Sequence, residues 1–219
     1  MAERQHPTLD FSLEARLWAR GYVYVAGIDE AGRGALAGPV AVGVVVFPAD
    51  PCLADGLNGV NDSKRLRPSQ RVYWAERIRL HALAWQVGYA QAEEIDELGI
   101  VAAVRLATRR ALAGLSLAPQ ILVTDYLELP EVKLPQISLV RGDARCLSVA
   151  AASILAKTAR DALLRDLAID HPGYGFDQHK GYGTAAHRAA LERLGPSRVH
   201  RRSFSFAGAL ESDLKINPF

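Results

Sequence analysis

Residues 22–47 read YVYVAGIDEAGRGALAGPVAVGVVVF. Two valine-rich segments, 22–28 and 39–47, are bounded by Gly or Pro, which is strand chemistry. The join between them is short and suits antiparallel pairing. Upstream, Ser12 is a good N-cap type for a helix over 12–20 that Gly21 stops. Downstream, residues 49–68 carry Pro51, Gly56, Asn58, Gly59 and Asn61 and read as loop. Ser69 caps a predicted helix reaching about His81, and 84–90 reads as a third strand. Residues 92–115 are helical with a break at Gly99, 121–124 form an apolar run ending at Asp125, and 135–140 read as a further strand. Residues 145–170, Ala-rich with Val149, Ile154, Leu155, Leu163 and Leu164, give the clearest helix. Past Pro172 the chain turns glycine-rich and basic as far as Arg202, and the last residues read as one more short helix and a tail. The class predicted is α/β, one main domain built on a mixed five-stranded sheet flanked by helices, with a C-terminal helical segment.

Of 219 residues, 49% are hydrophobic and 23% charged, which excludes disorder, collagen-like repeats and a disulfide scaffold. Residues 1–10 are polar and lack an apolar h-region, so no secretory signal is read. The longest uncharged stretch, 34–49, is interrupted by Pro39 and Pro48 and falls short of a membrane span of about 20 residues. Cys52 and Cys146 form no Cys-x-x-Cys pair and read as reduced thiols of a cytoplasmic protein. The 26 Lys and Arg nearly balance 24 Asp and Glu, and that total by itself does not point to a nucleic acid.

Carboxylates sit where the predicted strands stop. Asp29 and Glu30 follow the first strand, Asp125 closes the 121–124 run, and Asp143 comes just ahead of the long helix. Ligands of open α/β sheets gather at the carboxyl ends of strands, so these groups can converge. Packed carboxylates repel unless a cation sits between them, and oxygen-only ligation points to a hard ion, Mg²⁺ or Mn²⁺. Two such ions about 3.5–4 Å apart can hydrolyse a phosphodiester. Adjacent strand residues alternate faces, so Asp29 and Glu30 can share a site only if the strand bends or one offers its carbonyl. The alternative is that each acid makes a turn or caps a helix, as Asp62, Asp161 and Asp177 are read to do.

Gly32-Arg33-Gly34 follows a strand, but the third glycine of a dinucleotide fingerprint arrives one position late, at Gly38, and a strand follows. No P-loop is present. What remains is a loop able to approach a ligand, or a plain tight turn, with Arg33 suited to phosphate or a sugar edge. In the basic segment, Tyr174, Phe176 and Tyr182 interleave with His179, Lys180, His187 and Arg188, followed by Arg198, His200, Arg201 and Arg202. Aromatics for stacking and cations for phosphates are the parts of a nucleic-acid groove. Lys64, Arg65, Arg67 and Arg71 form a second basic set, and the acidic run Glu93, Glu94, Asp96 and Glu97 reads as a solvated helix face.

Taken together, Gly27-Ile28-Asp29-Glu30-Ala31-Gly32-Arg33-Gly34 with Gly38-Pro39-Val40, Asn61-Asp62-Ser63-Lys64, Asp125, Gly142-Asp143, the run Ala150 to Lys157 with Arg160-Asp161, Tyr174-Gly175-Phe176 with His179 to Thr184, and His200-Arg201-Arg202-Ser203-Phe204 resemble the type 2 ribonucleases H, ribonuclease HII in particular. The resemblance implies a ribonuclease H-like catalytic domain over 1–206, with a substrate-binding segment from about 173 and a tail over 207–219. It implies a divalent-metal endonuclease that cleaves the RNA strand of RNA–DNA hybrids and incises duplex DNA at single ribonucleotides, leaving 3′-OH and 5′-phosphate ends. By the same resemblance, Asp29, Glu30, Asp125 and Asp143 are catalytic metal ligands. Gly32, Arg33 and Gly34 sense the ribose 2′-OH, Tyr182 stacks on the sugar beside the scissile linkage, and Ser63 and Lys64 contact phosphate. The family often has Gly where Tyr126 stands, so the loop geometry after Asp125 is expected to differ here. The chain is read as a monomer without membrane contact. Its tail carries no clear peptide motif and is open to a sliding-clamp contact or to simple packing.

Ribonuclease HIII shares the core but carries a substantial N-terminal domain, whereas 28 residues precede Asp29 here. A small-molecule metal-dependent phosphohydrolase has no use for the aromatic and basic segment. A non-catalytic binder has no use for four acids beside phosphates.

Overall fold

The computed structural model describes residues 9–206; the tail at 207–219 and the first eight residues lie outside the described region. Helix α1 (Ser12–Trp18) leads into strands β1 (Val25–Ala31) and β2 (Val40–Val46). A short helix α2 (Leu53–Gly56) and helix α3 (Pro68–His81) precede strand β3 (Ala84–Ala90). Helices α4 (Ala92–Leu98) and α5 (Ile100–Ala113) come next, then strands β4 (Ile121–Asp125) and β5 (Gln136–Leu139). A 3₁₀ turn over Gly142–Ala144 introduces the long helix α6 (Leu147–Asp170), followed by α7 (Phe176–His179) and α8 (Ala185–Leu194).

The five strands form one mixed sheet in the order β3-β2-β1-β4-β5. Its first three strands are antiparallel neighbours, while β1, β4 and β5 run parallel. Side-chain alternation divides the sheet into two faces. Ala26 and Ile28 of β1, Val40, Val42, Val44 and Val46 of β2 and Leu122 of β4 pack with Ala103, Val104, Ala107 and Ala111 of α5. On the other face Val45 and Phe47 pack with Leu147, Ile154 and Leu155 of α6 and with Ile78 of α3. Helix α6 lies close because the strands beneath it carry glycines. A Cβ on Gly27 would sit 2.2 Å from the Ser148 carbonyl carbon, and one on Gly43 would sit 2.2 Å from the Ala152 carbonyl oxygen. Among the described residues no helix is long and apolar enough to cross a membrane, and both cysteines are free thiols.

Several boundaries move from their sequence expectation for local reasons. Strand β1 runs on through Asp29 and Glu30 to Ala31, because its pairing with β2 continues through Glu30 opposite Val42 and Ala31 opposite Ala41. Ser12 is the first helical residue of α1 rather than its cap, and its N–H donates to Asp10 Oδ1 at 2.9 Å. Helix α3 starts at Pro68, a favoured first helical position, with the Arg67 N–H donating to Gln70 Oε1, so Ser69 lies inside it. The four-residue α2 interrupts what reads as loop, being too short to show periodicity. The break at Gly99 is present, with φ of +77°.

Candidate active site

Parallel pairing sets Ile28 beside Thr124, so Asp29, inside β1, comes level with Asp125, the last residue of β4. After β5 the chain turns sharply through Arg141, whose φ is +58°, and Gly142 donates its N–H to Asp125 Oδ1 at 2.7 Å. That turn delivers Asp143. One carboxylate oxygen from each of Asp29, Asp125 and Asp143 falls within 4.8 Å of the others. All three lie on the α6 face: Asp29 is in phase with Gly27, which meets α6, and Asp125 with Val123, packed beside Val149.

Glu30 points the other way. Strand alternation puts it on the α5 face, outside the three-acid group, with Oε1 3.4 Å from Arg33 Nη1. Its pairing with β2 is continuous there, its N–H donates to Asp29 Oδ1 at 2.7 Å, and its carboxylate still acts on those of Asp29 and Asp125.

The electrostatics ask for a cation. Burial, with Glu30 and Asp125 adding repulsion, raises the Asp29 carboxyl well above its usual range. Asp143 is raised by burial and by Asp62 and Asp125. Glu30 is raised by burial and by Asp125, against the opposing pull of Arg33. Partial burial works against the charged form of Lys64, yet Asp62, Asp143, Asp29 and Asp125 together raise its pKa. Lys64 thus sits in the field of four carboxylates, placed by an Asx turn in which its N–H donates to Asp62 Oδ1 at 2.9 Å. Asp62 makes the turn that its spacing predicts, and its charge bears on both Lys64 and Asp143. Ser63 is buried, and its hydroxyl lies 2.9 Å from that of Ser153, so it braces the Asn61–Lys64 loop against α6.

The glycine loop is held by two buried arginines that spacing did not reveal. Arg160 of α6 donates to the carbonyls of Pro39 (2.8 Å), Lys180 (2.9 Å) and Ala37 (3.0 Å). Arg201 donates to those of Arg33 (2.9 Å) and Gly38 (3.0 Å). Both are fully buried, and neither has a carboxylate within 4 Å among the described residues. Burial and the neighbouring Arg160 guanidinium lower the Arg201 pKa to about 9. Tyr182 lies beside this clamp, its ring 5.3 Å from the Arg160 guanidinium and 5.2 Å from Lys157 Nζ.

The rest of the basic, aromatic segment is largely core. Tyr174 stacks on Phe176 at 5.4 Å, His179 on His187 at 4.3 Å, and His187 Nε2 lies 3.1 Å from His200 Nε2. Arg71 is also committed, to the carbonyls of Ser63 and Leu66 and to Asp161, which Lys157 holds from its other side. The acidic run is not simply a solvated face: Glu94 pairs with Arg110 through two 2.7 Å bonds, and Asp96 accepts the N–H groups of Arg202 and Ser203. Residue type alone does not separate a groove-lining His or Arg from a buried one. The contacts do.

Residues 26–207 match the family described as Ribonuclease HII. A ribonuclease HII of Moorella thermoacetica is 47% identical over 202 residues, covering 92% of this chain and 96% of that protein. The crystal structure of ribonuclease H2 from Pyrococcus horikoshii superposes with a TM-score of 0.67 at 26% identity, covering 89% of this chain and all of that one. The ribonuclease HII solved with PCNA from Archaeoglobus fulgidus gives a TM-score of 0.69 at 27% identity, covering 81% and 92%. The fold is ribonuclease H-like, and the chain belongs to the ribonuclease HII family, whose nuclease activity it shares.

Proposed function

We propose that this protein is an endonuclease that hydrolyses the RNA strand of RNA–DNA hybrids and incises duplex DNA at single ribonucleotides, leaving 3′-OH and 5′-phosphate ends. The observation that carries this reading is the three-acid cluster of Asp29, Asp125 and Asp143 beside a glycine loop locked by two buried arginines. The donor set fits a hard divalent ion: three carboxylates, no sulfur or imidazole, and a buried Asp29 whose charge needs a counter-ion. A pair of Mg²⁺ or Mn²⁺ ions held there would supply Lewis-acid stabilisation of the scissile phosphate. Asp29, Asp125 and Asp143 hold that charge, and Glu30, coupled to Asp29 and Asp125, is kept as the fourth acid of the set.

The remaining roles belong to the chain's own groups. Lys64 offers a cation to a phosphate oxygen, and Ser63 positions it through Ser153. Gly34 is exposed and leaves open space where a Cβ would be, so the backbone of the 32–34 loop can meet a ribose edge and read its 2′-OH. Tyr182, half-buried beside Lys157 and Arg160, presents a ring to the neighbouring sugar. The segment from about 173 onward is the substrate-binding part of the 1–206 domain. A clamp contact through 207–219 belongs to the same reading, supported by the Archaeoglobus relative having been solved with PCNA.

The test is a DNA duplex carrying one ribonucleotide, incubated with Mg²⁺ or Mn²⁺. Incision at the ribonucleotide is expected, and Asp125→Asn is expected to lower the rate at least 10³-fold, on the order of 4 kcal/mol of barrier. An intact duplex, or full activity of Asp125→Asn, sinks the proposal.

A further inference from the structure

On the α5 face of the sheet, just past Glu30, a cleft of about 300 Å³ opens next to the carboxylate cluster. It is lined by Arg33, Arg105, Tyr126, Glu128 and Ser138, with the buried Val104 and Leu127. Ser138 is one residue out of phase with Ile137 and Leu139, which pack with the α6-side core, so the cleft and the cluster occupy opposite faces of one sheet end. Arg33 is their common border.

Three features mark the cleft as more than a surface dent. Tyr126 directly follows Asp125, is 75% exposed, and holds a left-handed φ of +47°, an arrangement that side-chain burial does not explain. Backbone strain of this kind in a bulky residue persists where it serves a site. Arg105 is anchored through Nε, which donates to the Glu128 carbonyl at 3.0 Å, and no carboxylate lies within 4 Å of it among the described residues. Arg33 reaches the same space with a half-exposed side chain. An exposed aromatic ring beside apolar side chains, with the Arg105 guanidinium on one edge and on another an Arg33 that Glu30 holds at 3.4 Å, can stack a base and hold its phosphate. The volume, at the small end of the roughly 300–1,000 Å³ usual for ligand pockets, suits one nucleotide and not a duplex.

We infer that this cleft is a nucleotide subsite: it takes one nucleotide flanking the incision on the ribonucleotide-bearing strand, with its base against Tyr126 and its phosphate between Arg33 and Arg105. The inference rests on the nuclease reading above and adds to it a residue, Tyr126, at which this chain departs from the common family pattern.

The experiment measures kcat and KM with Mn²⁺ on DNA duplexes carrying one ribonucleotide, full-length and shortened stepwise from each end of the ribonucleotide-bearing strand. Wild type, Tyr126→Ala, Tyr126→Phe, Arg105→Ala and the double alanine variant are compared. Each alanine variant is expected to raise KM three- to tenfold on the full-length duplex with kcat within twofold, and Tyr126→Phe to retain wild-type KM. Once shortening removes the seated nucleotide, wild type is expected to take on the higher KM and the variants to lose their difference from it. Unchanged KM in both alanine variants, or a KM increase that persists on every shortened duplex, overturns the subsite. Failure of the nuclease reading looks different: wild type then leaves every duplex intact.

Discussion

Gly32 and Gly34 are two residues apart and face opposite constraints. A Cβ on Gly32 would lie 1.9 Å from Arg160 Nε, and its φ of +90° is one that L side chains rarely adopt. Gly34 has an ordinary φ and nothing within 4 Å of a built Cβ. Gly32→Ala is therefore expected to lose roughly 2–3 kcal/mol of stability, through the clash and the left-handed backbone. Gly34→Ala should stay within about 0.5 kcal/mol of wild type while cleavage slows and preference for a ribonucleotide junction narrows. Urea denaturation and paired ribo/deoxy substrates measure the two effects; a Gly34→Ala enzyme as fast and selective as wild type removes the sensing role from that position. The sequence leaves a tight turn and a ligand-approach loop as alternatives; Gly32 is locked in the turn, and Gly34 is left open for the approach proposed above. Tyr126 shows the converse, a bulky residue where the backbone favours glycine. Tyr126→Gly is expected to raise stability by about 1 kcal/mol, read as a higher urea midpoint, while weakening the flanking subsite.

At the scale of elements, α6 organises the site from the face where β1 and β2 carry glycine. It supplies Ser153 beneath Asp29, Lys157 beside Tyr182, and Arg160 under the glycine loop. Its N-terminus is met by α1, whose buried Glu14 accepts the Ser148 N–H at 2.8 Å. Gly43→Val would drive a branched side chain into the Ala152 carbonyl and lift the helix from the sheet. A loss of roughly 3 kcal/mol or more is expected by urea denaturation, with cleavage falling alongside; near-wild-type stability would mean that the helix–sheet spacing is soft. Most of this framework was legible in sequence. The first two strands follow from valine-rich runs, β4 from its apolar run, the long helix from an Ala-rich stretch, and the break at Gly99 from its glycine. What stayed hidden depends on partners distant in the chain. The end of β1 was set too early because Asp29 and Glu30 look like a strand stop until β2 is alongside to pair them. The division of those two acids between faces follows from the same ladder. His187, His200 and Arg201 have the residue types of a phosphate-binding groove, and only the packing of the C-terminal segment onto the 33–39 loop makes them core.

For the whole molecule, two buried titrating groups pull stability in opposite directions with pH. Burial and the adjacent His187 lower the His200 pKa to about 4, and burial also lowers that of His187. The unfolded chain then binds more protons than the folded one below pH 6.5, so the histidine contribution is complete above that value and is lost as pH falls toward 4, by roughly 2–3 kcal/mol. Asp29 and Asp143 are raised, so without metal the folded state binds more protons than the unfolded one, and stability falls as pH climbs through their folded pKa values. A divalent ion replaces those protons and reverses that loss. Added Mn²⁺ is therefore expected to raise the unfolding free energy at pH 8 by about 2.7 kcal/mol at a hundredfold excess over its Kd, and by much less at pH 5, where protons compete for the same oxygens. Asp125→Asn should erase most of the pH 8 increment while leaving the acid limb intact. His200→Gln should flatten that limb while leaving the Mn²⁺ increment intact. Urea denaturation at the two pH values, with Mn²⁺ or EDTA, separates the two effects. A Mn²⁺ increment equal at pH 5 and pH 8, or one that survives Asp125→Asn, would place the ion somewhere other than the three-acid cluster.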